Sequence, residues 1–198
     1  HYKEDLNADT YTLADTENKT GTTGENTNAK AKVYAGFTAG TVTQETIAAD
    51  GTTVVEIYYT RNSYDVVYKV DGVEKYTDIY EYEEKVEARA DESKTGYTFS
   101  GWSKIPETMP AEDVEVVGTF AINSYKLTIE YVYEDGKTAS ATYSEEYEYN
   151  AEYEVTSPVI VGYTANKLVV EGTMMTTNVN VTVTYTANKH NVYFDENG

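Results

Sequence analysis

A short pattern, in which glycine is followed by an aromatic residue and threonine, recurs along this chain and constrains its fold more than any other feature. The three copies stand at residues 36–38, 96–98 and 162–164. Each copy is followed 23 or 24 residues later by an aromatic residue that closes a β-rich run: Tyr59, Phe120 and Tyr185. Self-similarity at a period of roughly 60 residues is typical of tandem modules, so we expect three related units in series.

A second repeat places the boundaries between these units. Asn62-Ser63-Tyr64 recurs as Asn123-Ser124-Tyr125, where the last strand of one unit runs almost directly into the first strand of the next. Neither a Gly/Ser-rich nor a Pro-rich linker intervenes, which predicts a semi-rigid rod of modules placed end to end. The expected divisions are module 1 at 1–61, module 2 at 62–122, module 3 at 123–188, and the first strand of a following module at 189–198.

Alternating apolar and polar residues predict a mainly β fold with little helix. In module 2 the alternation runs from Tyr64 to Val70, meets the hairpin signal Asp71-Gly72, and returns over residues 73–82. Module 3 repeats this arrangement around Asp135-Gly136, with a return strand at 139–149. Closing strands are expected at 114–120 and 179–185. In module 1 the Asp50-Gly51 turn predicts a closing strand at 53–59, and the charged segment 83–95 is compatible with a short helical turn.

The alternation also predicts which side chains form the cores. Side chains on one face of a strand recur at every second position, and the face richer in apolar residues is expected to be buried. The expected core residues are Phe37, Val55, Ile57, Tyr59, Tyr97, Trp102, Val116, Phe120, Tyr163, Val181, Val183 and Tyr185.

The charge of the chain excludes several classes of partner. Its 34 acidic and 15 basic residues give a formal net charge of −19, which repels nucleic acid and anionic membrane surfaces. No apolar run approaches the length of a membrane span, so we expect no membrane insertion within these residues. The 21 tyrosines suit strand faces; as an alternative, some of them form platforms for glycans or proteins.

Residues that could carry enzymatic chemistry are scarce. The chain has no cysteine and two histidines, which leaves no nucleophile system and no thiolate metal site. Carboxylate pairs are numerous, but in so acidic a chain they arise without a catalytic purpose. We therefore expect a non-enzymatic protein without cofactor and name no catalytic, cofactor or metal residue; the ligand-binding residues stay unknown. Lys126 and Asn180 have two open interpretations: an isopeptide bond joins them, or they are two exposed polar side chains.

Two families of bacterial surface repeats resemble this chain. The run from Gly96 to Trp102, together with the tail His190–Gly198, resembles the internalin-type B-repeat, also called the Listeria–Bacteroides repeat. Modules 1 and 3 resemble the MucBP (mucin-binding protein) repeat through a leading strand into a polar turn, the Gly-aromatic-Thr pattern, and the closing run Asp50–Tyr59. The resemblance implies small β-grasp-like modules on large surface proteins of Gram-positive bacteria, and it supplies no catalytic motif.

This resemblance implies an extracellular location on a bacterial cell surface, with attachment to the cell wall through regions outside this fragment. We expect the modules to act as an extended stalk or spacer of an adhesin. The alternative is that the modules bind host mucin or glycoprotein directly, against the net repulsion between acidic mucins and an acidic chain.

The two ends of the chain suggest a third possibility. Tyr2 matches the end of a first strand, so module 1 lacks most of that strand, whereas residues 189–198 supply a first strand without a module of its own. A sheet that lacks a strand is a template for strand addition. One hypothesis is therefore that the tail of one copy fills module 1 of the next copy, which would build a filament; the competing interpretation is a fragment cut at arbitrary points.

Overall fold

The structure is a computed structural model that describes residues 1–194, and these residues form β-strands, turns and irregular segments without any helix. Short strands rich in Tyr, Val and Thr match the preference of these residues for a pleated surface. The strands are β1 (Tyr2–Glu4), β2 (Tyr11–Leu13), β3 (Phe37–Ala39), β4 (Tyr58–Arg61), β5 (Ser63–Val70), β6 (Val73–Glu81), β7 (Tyr97–Phe99), β8 (Val114–Gly118), β9 (Phe120–Ile122), β10 (Ser124–Tyr133), β11 (Thr138–Glu148), β12 (Glu152–Thr156), β13 (Tyr163–Ala165), β14 (Val169–Thr173) and β15 (Val179–Ala187).

By its internal contacts the chain divides into two compact units. Unit 1 comprises His1–Asp91 and Gly101–Thr119, and unit 2 comprises Glu92–Ser100 with the chain from Phe120 onward. The division into modules at 1–61, 62–122 and 123–188 is a different partition and stays a prediction. Within residues 1–194 no helix is long and apolar enough to cross a membrane.

Module 3 contains the longest uninterrupted sheet. Its strand order is β11-β10-β15-β13, in which the central pair β10 and β15 is parallel and both outer pairs are antiparallel. The parallel pair runs in register from Leu127 opposite Val179 to Tyr133 opposite Tyr185. A separate antiparallel pair, β12 and β14, lies in the crossover between β11 and β15. The β-grasp name given to such modules stays a prediction.

Module 2 has the same strand arrangement as module 3, but its sheet is interrupted. Its sheet has the order β6-β5-β8, and β7 pairs with β9 in a separate two-stranded sheet. The closing strand expected at 114–120 is therefore wrong as a single strand, because it breaks between Gly118 and Phe120. The break coincides with the boundary between the two units, because β8 lies in unit 1 whereas β9 lies in unit 2. Glycine in a strand interior weakens the strand, which favours a break at this point.

Module 1 has the sheet order β2-β1-β4-β3 with very short strands. β1 occupies the position that β10 takes in module 3, but it pairs in parallel with β4 only at Tyr2 and Lys3. The strand expected at 53–59 is therefore shifted: β4 begins at Tyr58, and the Asp50-Gly51 turn does not join two strands. Within the described part of the chain, residues 53–57 pair with no strand, so their β-favouring sequence forms no ladder there.

Modules 2 and 3 each have their own hydrophobic core. In module 3, β10 and β15 bury Leu127, Ile129 and Val183 against Met174 from the crossover. In module 2, Val66 and Tyr68 of β5 and Val116 of β8 pack with Val86 and Met109. The two methionines enter these cores from irregular segments, where no periodic pattern marks them.

The expected core residues fall into three groups. Ile57, Tyr59, Val116, Val183 and Tyr185 are buried, as expected. A second group is only half-buried: Phe37, Val55, Tyr97, Trp102, Phe120 and Val181. Tyr163 is wrong as a core residue, since its side chain is 38% exposed.

The remaining sequence expectations have mixed outcomes. The hairpins at Asp71-Gly72 and Asp135-Gly136 are confirmed. The short helical turn considered for residues 83–95 is not formed. Residues 189–194 pair with no strand of the described chain, and Asp195–Gly198 lie outside the described residues. The first strand expected at 189–198, whether in a following module or in another copy, therefore stays a prediction.

Candidate functional site: a repeated joint between modules

The Gly-aromatic-Thr pattern forms the same turn each time, and this turn is the feature of the structure that recurs most closely. Gly36, Gly96 and Gly162 have φ angles of 74°, 77° and 84°. This left-handed backbone is accessible to glycine without penalty, whereas residues with a Cβ adopt it at a cost. The aromatic residue and threonine then enter the short strands β3, β7 and β13.

An asparagine fastens each turn to the end of the closing strand. The backbone N–H of Asn62 donates to the carbonyl of Gly36 at 2.9 Å, and Asn123 donates to Gly96 at 2.9 Å. The threonine hydroxyls of the same turns donate to the side-chain Oδ1 of these asparagines, each at 2.6 Å. Each asparagine thus binds one turn through both its backbone and its side chain.

The same asparagines also bind the second strand of the following module. The backbone N–H of Tyr82, just after β6, donates to the carbonyl of Asn62 at 2.8 Å. The backbone N–H of Tyr149, just after β11, donates to the carbonyl of Asn123 at 2.8 Å. We call the first set, with Gly36, joint 1 and the second set, with Gly96, joint 2.

The tyrosine rings lie directly on the turn glycines. A Cβ added to Gly36 would overlap the ring of Tyr82, and a Cβ added to Gly96 would overlap the ring of Tyr149. The joints also share an edge-to-face aromatic pair: the ring centroids of Phe37 and Tyr82 are 5.7 Å apart, and those of Tyr97 and Tyr149 are 6.4 Å apart. Such edge-to-face geometry is favourable for aromatic rings. Glycine is therefore required at each joint both by its φ angle and by the close approach of the ring.

Joint 1 adds a buried arginine side chain to this common scheme. The side chain of Arg61 is only 8% exposed, and its Nη1 donates to the carbonyl of Tyr82 at 2.6 Å and to Glu83 at 2.8 Å. Its Nη2 donates to the carbonyl of Glu4 at 3.1 Å, while Nε is buried and has no hydrogen-bond partner among residues 1–194. The guanidinium also lies 4.8 Å from the ring centroid of Phe37, a cation–π contact.

Joint 2 has different side chains at the same places. Ile122 stands where joint 1 has Arg61, and Asn150 stands where joint 1 has Glu83. Asn150 and Glu83 share a left-handed backbone, with φ angles of 68° and 67°. The cation of joint 2 is Lys94, whose Nζ lies 3.7 Å from the ring centroid of Tyr97.

A cavity of about 350 Å³ opens beside joint 1. Lys3, Phe37, Arg61 and Tyr82 are among its lining residues, and Lys3 Nζ lies 4.1 Å from the ring centroid of Tyr34. Asp5 also lines the cavity, and a hydrogen bond from the Thr10 hydroxyl at 2.7 Å holds the pKa of its carboxyl below the usual range. The cavity thus combines aromatic faces with charges of both signs.

The third copy of the turn has the same internal bonds but a different environment. Asn188 donates to Gly162 at 2.8 Å, and the Thr164 hydroxyl donates to Asn188 Oδ1 at 2.6 Å. Gly36 and Gly96 are buried, whereas Gly162 is exposed. Among the described residues, no atom lies within 4 Å of a Cβ added to Gly162. We call this set, Gly162 to Thr164 with Asn188, the open copy.

Sequence reasoning named no site residue, and it did not find the joint tyrosines. A signal was available, because Tyr80-Glu81-Tyr82 recurs as Tyr147-Glu148-Tyr149 at the end of the second strand of each module. Trp102 packs edge-to-face on Tyr68 and donates from Nε1 to the carbonyl of Ala90 at 3.0 Å. The Trp102 side chain is thus half-buried against the core of module 2.

One further sequence hypothesis concerns a pair of residues. Lys126 and Asn180 lie on the neighbouring strands β10 and β15, and both are exposed. The isopeptide bond between them stays a prediction. Within residues 1–194 no group of three or more His, Cys, Asp or Glu residues is arranged to hold a metal ion.

Comparison with known proteins identifies one segment. A family model of the MucBP domain matches residues 126–186. Similar solved structures include a MucBP domain of a Lactobacillus acidophilus protein, with 27% identity over 33% of this chain and 92% of that chain and a TM-score of 0.29. The MucBP domain of an adhesion protein from Pediococcus pentosaceus has 25% identity over 34% of this chain and 100% of that chain, with a TM-score of 0.28.

A longer relative is the type 2 repeat of the mucus binding protein MUB from Lactobacillus reuteri. It has 16% identity over 64% of this chain and 99% of that chain, with a TM-score of 0.29. The comparison with curated proteins gave no match. The resemblance of module 2 and the tail to the internalin-type B-repeat stays a prediction. The matched segment 126–186 spans β10 to β15, and the chain therefore carries MucBP-like repeat sequence.

Proposed function

We propose that this chain is a non-enzymatic repeat region of a bacterial cell-surface adhesin, in which the modules form a stalk that holds an adhesive part of the protein away from the cell wall. The observation that carries this proposal is the joint, which occurs twice with the same hydrogen bonds and the same aromatic contact. A flexible array of binding modules needs no such joint, whereas a spacer gains reach when each module is fastened to the next.

The charge of the chain supports the spacer role. A net charge of −19 opposes attachment to the acidic glycans of mucin and disfavours association between neighbouring copies. MucBP repeats belong to cell-surface proteins, which agrees with an extracellular location. Attachment to the cell wall through other regions of the protein is part of the proposal.

Binding of the 198-residue chain to immobilised mucin and to a glycan array tests this function. We expect no saturable binding at physiological salt. Desialylated mucin is the matched control, because it removes the charge repulsion without removing the protein backbone or the neutral sugars. Saturable, sugar-specific binding to either mucin would contradict the spacer role and favour an adhesive role for the modules.

Direct binding of host glycoprotein is the second candidate, and the cavity beside joint 1 favours it. Lys3 and Arg61 supply positive charge next to the rings of Phe37 and Tyr82, a combination that suits a sugar bearing a carboxylate or sulfate. If the chain binds mucin, Lys3→Met should abolish binding. Lys75→Met is the matched control, because Lys75 also lies over a tyrosine ring, that of Tyr76, but does not line the cavity.

A further inference from the structure

We propose that the open copy is a docking seat for a following module of the same type, which would place the tyrosine that ends its second strand on Gly162. This inference rests on the proposed stalk function and names the partner of one surface. The seat consists of Gly162, Tyr163, Thr164 and Asn188.

The first argument is the difference in burial between the occupied joints and the open copy. Gly36 and Gly96 are buried, and Phe37 and Tyr97 beside them are half-buried. Gly162 is exposed and Tyr163 is 38% exposed. An aromatic ring covers the glycine in both occupied joints, and the open copy offers the same glycine face to solvent within the described residues.

The second argument is that the seat is already formed. The Asn188–Gly162 and Thr164–Asn188 hydrogen bonds match those of the occupied joints within 0.1 Å. Docking at this surface therefore needs no rearrangement of the turn, which lowers the entropic cost of association. In both occupied joints the asparagine carbonyl accepts the backbone N–H of the incoming tyrosine, and we assign this acceptor role to the carbonyl of Asn188.

The third argument identifies the occupant. In the occupied joints the residues directly after the asparagine form the first strand of the module that supplies the tyrosine. After Asn188 the side chains of His190, Val192 and Phe194 fall in the register of Tyr64, Val66 and Tyr68. Val192 and Phe194 are 73% and 87% exposed. Apolar residues alternating in this way favour a strand that becomes buried when a module is completed around it.

The experiment replaces the chain after Asn188 with one complete module. A second copy of residues 124–188 is placed directly after Asn188, so that a tyrosine equivalent to Tyr149 can reach Gly162. We expect the backbone amide of this added tyrosine to exchange with solvent deuterium about tenfold more slowly than the same amide in a chain that also carries Gly162→Ala. Gly136→Ala is the matched control, because Gly136 also has a left-handed φ of 82° but lies in the β10–β11 turn outside the seat, so this variant should leave the protection unchanged.

Three outcomes would overturn the proposal. One is equal exchange of the added tyrosine with and without Gly162→Ala. Another is unchanged protection when the added tyrosine is replaced by alanine. The third is association of the unextended chain into dimers that Gly162→Ala abolishes, which would assign the seat to a second copy.

These outcomes are separate from the test of the stalk function. Mucin binding by the chain would contradict the spacer role, yet it would leave the exchange measurement on Gly162 unaffected. Conversely, failure of the added module to dock would leave the absence of mucin binding standing.

Discussion

Joints 1 and 2 have the same backbone scheme with different side-chain chemistry. Both use a left-handed glycine, an asparagine and a tyrosine, with corresponding hydrogen bonds of equal length. Joint 1 surrounds them with the ion pair of Arg61 and Glu83, whereas joint 2 has Ile122 and Asn150 at those places. The comparison indicates that the backbone and the ring fix the geometry of the joint, while the flanking side chains set how its stability responds to salt and pH.

The largest effect is expected from alanine at the glycines of the occupied joints. A left-handed alanine costs about 1–2 kcal/mol at any of the three turns. At Gly36 and Gly96 the added Cβ also displaces a tyrosine ring, at about 1–3 kcal/mol more. Gly162→Ala is the matched control, because it brings the backbone strain without the ring. Hydrogen exchange of the Tyr82 and Tyr149 amides measures the difference, and equal effects at all three glycines would contradict the joint.

Loss of the rings themselves should have the next largest effect. Tyr82→Ala and Tyr149→Ala remove a half-buried ring from the glycine face, and we expect each joint to lose about 2 kcal/mol of local stability. Tyr→Phe at the same positions should be close to neutral, because the joint uses the ring and the backbone N–H. A large loss in the Phe variants would show that the hydroxyl carries the contact.

Replacing Arg61 should separate the two joints. Arg61→Ile leaves the carbonyls of Tyr82 and Glu4 without its donors and should weaken joint 1 by about 1 kcal/mol. The double variant Arg61→Ile with Glu83→Asn reproduces the residues of joint 2 and should recover part of this loss.

The salt dependence of joint stability is a second measurement on the same variants. In the wild-type chain, added salt should reduce the hydrogen-exchange protection of joint 1 more than that of joint 2, since the partly exposed ion pair of Arg61 with Glu83 belongs to joint 1. The double variant should remove this difference. If the salt response of joint 1 is unchanged in the double variant, the ion pair does not contribute to it.

Lowering the pH should have the smallest effect on local stability. This effect should fall on the part of module 1 that leads to the turn at Gly36. Lys32 pairs with Asp15 and Glu17, and its backbone N–H donates to the Tyr59 hydroxyl at 2.8 Å in the segment that leads to Gly36. The hydrogen bond from Lys32 lowers the pKa of Asp15, and bonds from Lys19 and Lys32 lower the pKa of Glu17.

The direction of this pH effect follows from linkage. A carboxyl whose pKa is lower in the folded state contributes stability above its unfolded pKa, and this contribution is lost as the pH falls through the folded pKa. Protection near Tyr34 should therefore decline below about pH 4, while protection at joint 2 changes less. Lys32→Met should make the two joints respond alike, and a persistent difference would assign the pH response to other groups.

The long hairpins could be predicted from the sequence because local signals specify them. Alternation and an Asp-Gly turn define β5–β6 and β10–β11, and neither depends on distant residues. The same alternation predicted which face of the closing strands is buried, as the buried Val183 and Tyr185 show.

The joints could not be predicted because they depend on pairings between modules. Tyr82 and Tyr149 follow strands in which tyrosine already alternates, so the repeated Tyr-Glu-Tyr pattern does not by itself distinguish a joint residue from a strand-face residue. Tyr163 was expected in the core from its match to Phe37 and Tyr97, yet those two are half-buried beside a ring of the following module. The pair β12–β14 was missed because its strands are separated by a crossover and their partnership is not encoded by a turn.

The parallel pairing of β10 with β15 has a mechanical consequence. The chain enters module 3 at the start of β10 and leaves it after the end of β15, and these two strands are paired side by side from Leu127–Val179 to Tyr133–Tyr185. Tension between the two ends of the module therefore pulls the strands along their length in opposite directions. The load falls on all the hydrogen bonds of the ladder together, and they do not open one after another as in a hairpin pulled from its open end. Module 3 should consequently resist shear flow far better than its modest core would indicate.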